Sequence, residues 1–214
     1  MKRLVLLDWG GTLCGHTGFV QMVASAGARL GRIVDGGEML QRLVAAGYSN
    51  PSRDVSMGAS RSANVEELRL AGYDDEELAL AIHAREYEPD VMVPFPDTRW
   101  FLETVRRAGG RRVVVSNCGA DIRQNLRAHG LDELIDDYVL SCEHGAVKPD
   151  RRLFEIALGD TDPADALMVG DSTADAGAIA VGIATVLLPA SVSADRPRGF
   201  DLVVRTLGLA EPGG

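Results

Sequence analysis

Lysine is nearly missing from this 214-residue chain: of its 22 lysines and arginines, only Lys2 and Lys148 are lysine. Where almost every cation is a planar guanidinium, an internal lysine marks a place that calls for a compact ammonium. Cysteine is scarce too, with Cys14, Cys118 and Cys142 widely spaced, odd in number and free of any C-x-x-C pattern. That excludes a disulfide framework and the common zinc or redox motifs, and implies a reducing, cytoplasmic setting. No long apolar run is present. Leu4–Leu7 is too short for a signal peptide or a membrane span and is ended by Asp8. Positive charge is also in deficit, with a net charge of -9 and a pI near 4.9. Such a chain repels phosphate backbones, so neither nucleic acid nor membrane is expected as a partner. The same field would repel a small phosphorylated substrate, unless a local cation or a metal reversed it.

What is present is ordinary globular composition, 46% hydrophobic and 25% charged, with no internal repeat or low-complexity tract. Short apolar runs end in small or polar residues: Leu4–Leu7 before Asp8, Val113–Val115 before Ser116, Tyr138–Leu140 before Ser141, Ala166–Val169 before Gly170, and Ala184–Leu188 before Pro189. Helical patterns lie between them, at Thr98–Ala108, Ala120–His129, Arg151–Leu158 and Ala174–Val181. Strands alternating with helices predict an α/β fold, a Rossmann-like parallel sheet with helices on both faces. Ligands bind at the carboxyl ends of such strands, so Asp8, Ser116 and Asp171 should converge. Residues 15–93 break the alternation with four helical patterns, Phe19–Leu30, Glu38–Ala46, Asn64–Leu70 and Asp75–Tyr87. The expected domains are therefore a core of 1–14 and 94–214 and an all-helical cap of 15–93, with Pro94-Phe95-Pro96 as the return hinge. The tail beyond about Asp201 reads as short and frayed.

Four segments resemble, in order, the motifs of the haloacid dehalogenase superfamily. Leu6-Leu7-Asp8-Trp9-Gly10-Gly11-Thr12 is similar to the first, and Val113-Val114-Val115-Ser116-Asn117 to the second. Lys148-Pro149-Asp150 is similar to the third, and Val169-Gly170-Asp171-Ser172-Thr173-Ala174-Asp175 to the fourth. Pro96-Asp97, ahead of the second, also fits. Each segment alone is weak; four in order on alternating strands and helices are specific. The resemblance implies a hydrolase with Asp8 as a nucleophile that forms an aspartyl-phosphate intermediate on a small phosphorylated metabolite. It implies Mg2+ held by Asp8, the Gly10 carbonyl and Asp171, with Asp175 behind them. It implies hydrogen bonds from Thr12 and Ser116 to the transferring group, charge balance from Lys148, and substrate contacts at Gly11 and Asn117. It leaves the chain either a monomer or a homodimer. Each residue also has a plainer explanation alone: Asp8 as a turn former, Ser116, Asp171 and Asp175 as helix-cap or first-turn residues, Lys148 as a solvated loop cation.

The departure from the family is Gly10, where its phosphatases carry a second Asp that protonates the leaving group. Four readings follow. One is a phosphatase with another acid, for which His16 is the nearest histidine. A second, phosphonate cleavage, needs a cap lysine, and none exists between Lys2 and Lys148. A third, 2-haloacid dehalogenation, fits Ser116-Asn117 but needs no metal. The fourth is a non-catalytic or regulatory binding protein on the same fold. Within the cap, Arg53, Arg61, His83 and Arg85 are candidate substrate contacts, and Glu143 and His144 precede Lys148.

Overall fold

The computed structural model describes residues 3–190 and 193–209. Lys2 and the terminal Glu211-Pro212-Gly213-Gly214 lie outside the described residues. The strands are β1 (Leu4–Leu7), β2 (Cys14–His16), β3 (Met92–Pro94), β4 (Arg111–Ser116), β5 (Asp137–Leu140), β6 (Ala166–Gly170) and β7 (Ala184–Leu187). Five of them form one parallel sheet in the order β5-β4-β1-β6-β7. β1 is central and covered on both faces, which is why it reads as an unbroken aliphatic run. Alternate residues serve opposite faces. Val5 and Leu7 join Phe101, Leu102, Phe200 and Val203 on one side, while Leu4 and Leu6 join Leu153, Phe154 and Ile183 on the other.

Four helices, α1 (Phe19–Arg29), α2 (Gly36–Ala46), α3 (Met57–Leu70) and α4 (Glu76–Arg85), lie between β2 and β3. They share an apolar cluster of their own that includes Met22, Val23, Met39, Leu68 and Ile82. Local chemistry sets their starts. Asp35 accepts from the Gly37 and Glu38 amides at α2, and Asp75 accepts from the Leu78 amide at α4. Glu76 and Glu77 then sit in the first turn of α4 and His83 and Arg85 in its last, matching the helix dipole. The expected junctions at 14/15 and 93/94 fall inside an antiparallel ribbon, β2 with β3, which pairs Cys14 with Pro94 and His16 with Met92.

The remaining helices are α5 (Thr98–Arg107), α6 (Arg123–Ala128), α7 (Ser141–His144), α8 (Arg151–Leu158) and α9 (Phe200–Thr206). Several sequence expectations need correction. α3 begins at Met57, seven residues before the expected Asn64, and α6 begins at Arg123 rather than Ala120. Asp175–Val181 is a 3-10 turn, not an α-helix. The segment from Asp201 to Leu209 is no frayed tail. α9 buries Phe200, Val203, Val204 and Leu207, and Phe200 stacks on Phe101 at 4.3 Å. Each such side chain contributes roughly 1.5–3 kcal/mol on burial. Asp97, noted in the sequence beside Pro96, accepts from the amides of Arg198, Gly199 and Phe200 and so starts this helix.

Candidate active site

The carboxyl ends of β1, β4 and β6 meet at one rim of the sheet. They deliver Asp8, Ser116 and Asp171 to a cavity of about 400 Å³. Lys148 is buried beside them. Its Nζ lies 2.7 Å from Asp8 Oδ1 and 2.6 Å from Asp175 Oδ1. Burial disfavours its ammonium, yet the charges and hydrogen bonds of the two carboxylates outweigh that and hold its pKa above the ordinary lysine value. Ser116 Oγ donates to Asp8 Oδ1 at 3.3 Å. Lys148 and Ser116 thus both use Oδ1 of Asp8.

Asp175 is fully buried and its oxygens are committed. Oδ1 takes Lys148, and Oδ2 accepts from the amides of Asp171 and Ser172 and from Ser172 Oγ. Burial works against its ionisation, but Lys148 and the Ser172 hydrogen bonds keep its pKa below the usual carboxylate range. Asp175 therefore fixes the loop and the lysine. Asp171 is different: half-buried, it lines the cavity, and burial and then the Asp175 charge raise its pKa against the pull of Arg198 and Lys148. Asp8 is raised from 3.8 to about 6, chiefly by burial and only partly relieved by Lys148. Oxygen atoms of Asp8, Asp171 and Asp175 lie within 4.8 Å of one another. One ammonium faces three carboxylates, an imbalance that a hard divalent cation corrects.

Other sequence candidates have different positions from those expected. Gly11 is not a cavity residue. Its amide donates to the Cys14 carbonyl at 2.8 Å, and its own carbonyl accepts from Arg198 Nε at 2.6 Å. Its φ is +79°, and a Cβ there would fall on the Asp171 carboxylate, so this glycine lets Asp171 approach the first loop. Asn117 lines the cavity, but its carboxamide is used to clamp Lys148, accepting from the Lys148 amide at 2.7 Å and donating to its carbonyl at 3.1 Å. Thr12 is fully buried and its Oγ1 has no hydrogen-bond partner among the described residues. His16 does not join Asp8. It lies in the β2–β3 ribbon, its Nδ1 accepts from the Gly18 amide at 2.9 Å, and it lines two other cavities. Burial also lowers its pKa.

Of the helical-insert candidates, Arg53 lines the cavity. His83 is buried against Ser60 Oγ at 2.9 Å, Arg85 pairs with Glu88 and Asp90, and Arg61 lies on a separate surface hollow. Glu143 pairs with Arg123 and, like His144, is absent from the cavity lining. Sequence reasoning missed Asp54, Glu86, Tyr87 and Met92, which complete the cavity wall, and Arg198, which anchors the first loop. Trp9, which lines the cavity, stacks with Tyr87 at 6.1 Å and joins the two walls.

This geometry makes Lys148 a stability determinant as well. Replacing it in Lys148→Met leaves two buried carboxylates without their cation, which should cost about 3–5 kcal/mol. Urea unfolding of the metal-free protein reads this directly; an unchanged midpoint would show that the ammonium is dispensable.

Residues 2–182 match the model of the haloacid dehalogenase-like hydrolase family. The chain belongs to that family. Pyrimidine 5'-nucleotidase YjjG of Escherichia coli (strain K12) is 31% identical over 117 residues, covering 52% of this chain and 51% of that protein. The match thus spans about half the length of the curated relative. Among solved structures, the HAD-hydrolase YfnB from Bacillus subtilis, bound to magnesium, superposes with a TM-score of 0.72 at 16% identity, covering 97% of this chain and 99% of that one. L-2-haloacid dehalogenase from Xanthobacter autotrophicus superposes with a TM-score of 0.63 at 24% identity, covering 88% and 78%. At such identities the likeness is one of fold. This hydrolase has the family's parallel sheet, and no helix among the described residues is long and apolar enough to cross a membrane.

Proposed function

We propose that this hydrolase is a Mg2+-dependent phosphatase of a small phosphorylated metabolite and that Asp8 is its nucleophile. The observation that carries the reading is the charge arrangement around Asp8. Lys148 and Ser116 engage Oδ1, while Asp171, which has no cation at hydrogen-bond distance among the described residues, brings a carboxylate oxygen within 4.8 Å of one of Asp8. The residues suit a hard cation: carboxylates in excess of ammonium, and a glycine that admits Asp171 to the Asp8 loop. Asp8, Asp171 and the Gly10 carbonyl would hold Mg2+, with Asp175 behind them, and the ion would supply charge neutralisation at the phosphoryl oxygens.

The protein's own groups then have defined tasks. The Lys148 ammonium keeps Asp8 ionised despite its burial. Asp8 attacks phosphorus, a P–O bond forms to its carboxylate, and the bond to the leaving alcohol breaks with its electron pair. Gly10 carries no proton to give, and His16 lies outside the cavity. The departing alkoxide therefore takes a proton from cavity water. The resulting hydroxide attacks the aspartyl-phosphate at phosphorus, releasing phosphate and restoring Asp8. Ser116 positions the carboxylate, and Asn117 positions Lys148 through its backbone. The helical insert forms the outer wall as a cap, so it screens the reaction from bulk water. The location that suits this chemistry is the cytoplasm.

A screen against phosphate monoesters, with Mg2+ and with chelator, tests the reading. Metal-dependent release of phosphate is expected; turnover of a 2-haloacid without metal would replace this reading with dehalogenation. The metal has a pH dependence of known sign. In the metal-free protein Asp8 titrates at about 6, so below that pH it holds a proton that Mg2+ must displace. Calorimetric affinity should be constant near pH 8 and fall by about tenfold per pH unit below 6. An affinity that does not change down to about pH 5 would contradict the assignment of Asp8 as a ligand.

A further inference from the structure

The chain's three cysteines are free thiols, and two of them meet although 24 residues separate them in sequence. Cys118 follows β4 and Cys142 follows β5, and these strands are parallel neighbours, so their ends carry the two thiols side by side. Ser141 fixes the approach: its Oγ accepts from the Cys118 amide at 3.0 Å and donates to the Asp54 carbonyl at 2.7 Å. Both sulfurs lie against the same loop. Cys118 Sγ is 3.9 Å from the Ser116 carbonyl, and Cys142 Sγ is 3.9 Å from the Ala120 carbonyl. The thiols are hydrogen-bond partners of each other, with Cys118 as the donor. Cys118 is buried, whereas Cys142 is only partly so and can be reached from solvent. Cys14 is the contrast. It is fully buried, its thiol lies 4.0 Å from Asn125 Oδ1, and burial pushes its pKa up to about 12, which makes it an inert packing residue.

The contact divides the two thiols by role. The hydrogen bond from Cys118 favours the thiolate at Cys142 and lowers its pKa, while the same bond and burial keep Cys118 protonated. The acids beside Cys142, Asp121 and Glu143, are both paired with Arg123, at 3.1 and 2.6 Å. A reachable thiolate with a second thiol in contact is the arrangement that a peroxide oxidises to a disulfide. The Cys142 thiolate attacks one peroxide oxygen: an S–O bond forms, the O–O bond breaks, and the departing hydroxide is protonated to water. The Cys118 sulfur then attacks the Cys142 sulfur. An S–S bond forms, the S–O bond breaks, and the second hydroxide takes the Cys118 proton and leaves as water. Two thiols and one peroxide thus give one disulfide and two waters, with each sulfur giving up one electron and the peroxide gaining two.

We propose that Cys118 and Cys142 are a peroxide-modified pair whose reversible disulfide switches this hydrolase off. Formation of the bond is independent of the phosphatase reading; its effect on turnover rests on that reading. The loop that carries Cys118 transmits the change because it has no slack. Ser116 donates to Asp8, Asn117 clamps Lys148, and the Gly119 amide donates to the Tyr87 hydroxyl at 3.0 Å. A Cβ at Gly119 would fall 1.9 Å from Ser60 Oγ, so the helical insert is packed directly on this loop. A sulfur–sulfur bond is shorter than any contact between two thiols. Its formation draws the loop towards α7 and displaces the groups that hold Asp8 and Lys148, and a misplacement of about 1 Å at a reacting centre costs about 10²-fold in rate. In a reducing compartment such a bond is transient, which suits a sensor rather than a structural link.

The test treats the reduced full chain with hydrogen peroxide, blocks the remaining thiols by alkylation, and combines peptide mapping with turnover of p-nitrophenyl phosphate in Mg2+. The wild type should yield a peptide pair linked through Cys118 and Cys142, with Cys14 alkylated only after unfolding. Its kcat should fall tenfold or more and return on reduction with dithiothreitol. Cys142→Ser should form no link and keep its turnover within about twofold through the same treatment. Cys118→Ala should stop at the sulfenic acid of Cys142, trapped by a cyclic diketone. The wild-type map needs no variant to fold, so the proposal stays open to refutation on the native chain alone. Absence of the link, a link that leaves turnover unchanged, or equal inactivation of Cys142→Ser would overturn it. If the reduced protein hydrolyses no ester, the phosphatase reading fails on its own. The pair is then judged by the map and by hydrogen exchange of residues 116–120: a link that changes their exchange upholds it, and no link, or a link without such a change, refutes it.

Discussion

Asp8→Asn is expected to lose turnover by about a thousandfold or more, the scale on which removal of a nucleophile acts. A carboxamide is not a competent nucleophile towards phosphorus, and it is a weaker ligand for a hard cation. The fold should survive. The Asn oxygen can still accept from Lys148 and Ser116, which now hold Oδ1 at 2.7 and 3.3 Å. The substitution also removes an ionisable group whose pKa burial has raised to about 6, so the variant has less charge to bury near neutral pH. The melting temperature should therefore be equal to or above that of the wild type while kcat collapses. An active Asp8→Asn enzyme would remove the nucleophile from the account, and a variant that fails to fold would show that the carboxylate is structural.

The second large effect runs the other way. Gly10→Asp should raise kcat on esters of poor leaving groups by about 10²-fold, since a positioned acid-base group contributes roughly 10²–10⁴. Gly10 lines the cavity that holds Asp8, and its backbone does not have the left-handed φ that penalises side chains. A Cβ at Gly10 would meet nothing closer than Met92 Cε, at 3.7 Å. The site thus has room for the missing acid. For p-nitrophenyl phosphate, whose leaving group needs no proton, the gain should be small. Gly11→Ala is the control: its φ of +79° and the adjoining Asp171 carboxylate forbid a side chain, so activity and stability should both fall. If Gly10→Asp is no faster on any ester, another group already supplies the proton.

The central strands β1 and β6 were legible because every residue in them is buried and they read as aliphatic runs, and the partly exposed β5 and β7 because short apolar stretches end there in Ser141 and Pro189. Lys148 was legible because lysine is so rare in the chain. β2 and β3 were not: three residues each, Cys14–His16 and Met92–Pro94, are too few for any alternation to show. The start of α3 was hidden by its small and polar first turns, Met57-Gly58-Ala59-Ser60-Arg61-Ser62. α9 follows a run rich in Pro, Gly and Arg, and its packing on α5 is decided by tertiary contact rather than by local pattern. At the site, residues that follow a strand were found, whereas those from the opposite wall were not. Asp54, Glu86 and Tyr87 reach the cavity only because the helical insert folds back over the sheet. His16 was chosen for closeness in sequence to Asp8, and the ribbon carries it to other cavities. Gly11 and Asn117 fell in the right motifs, but their hydrogen bonds serve the protein's own loops.

The most direct test of the central claim is turnover of a phosphate monoester with Mg2+ in heavy-oxygen water, followed by mass analysis of both the product phosphate and the peptide that contains Asp8. Attack of water on the phosphorus of an aspartyl-phosphate places the label in phosphate and leaves Asp8 unlabelled, which is the expected result. Label in the Asp8 carboxylate would mean that water attacks a carbon ester, as in dehalogenation, and phosphate release that persists in chelator would remove the metal; either would contradict the account.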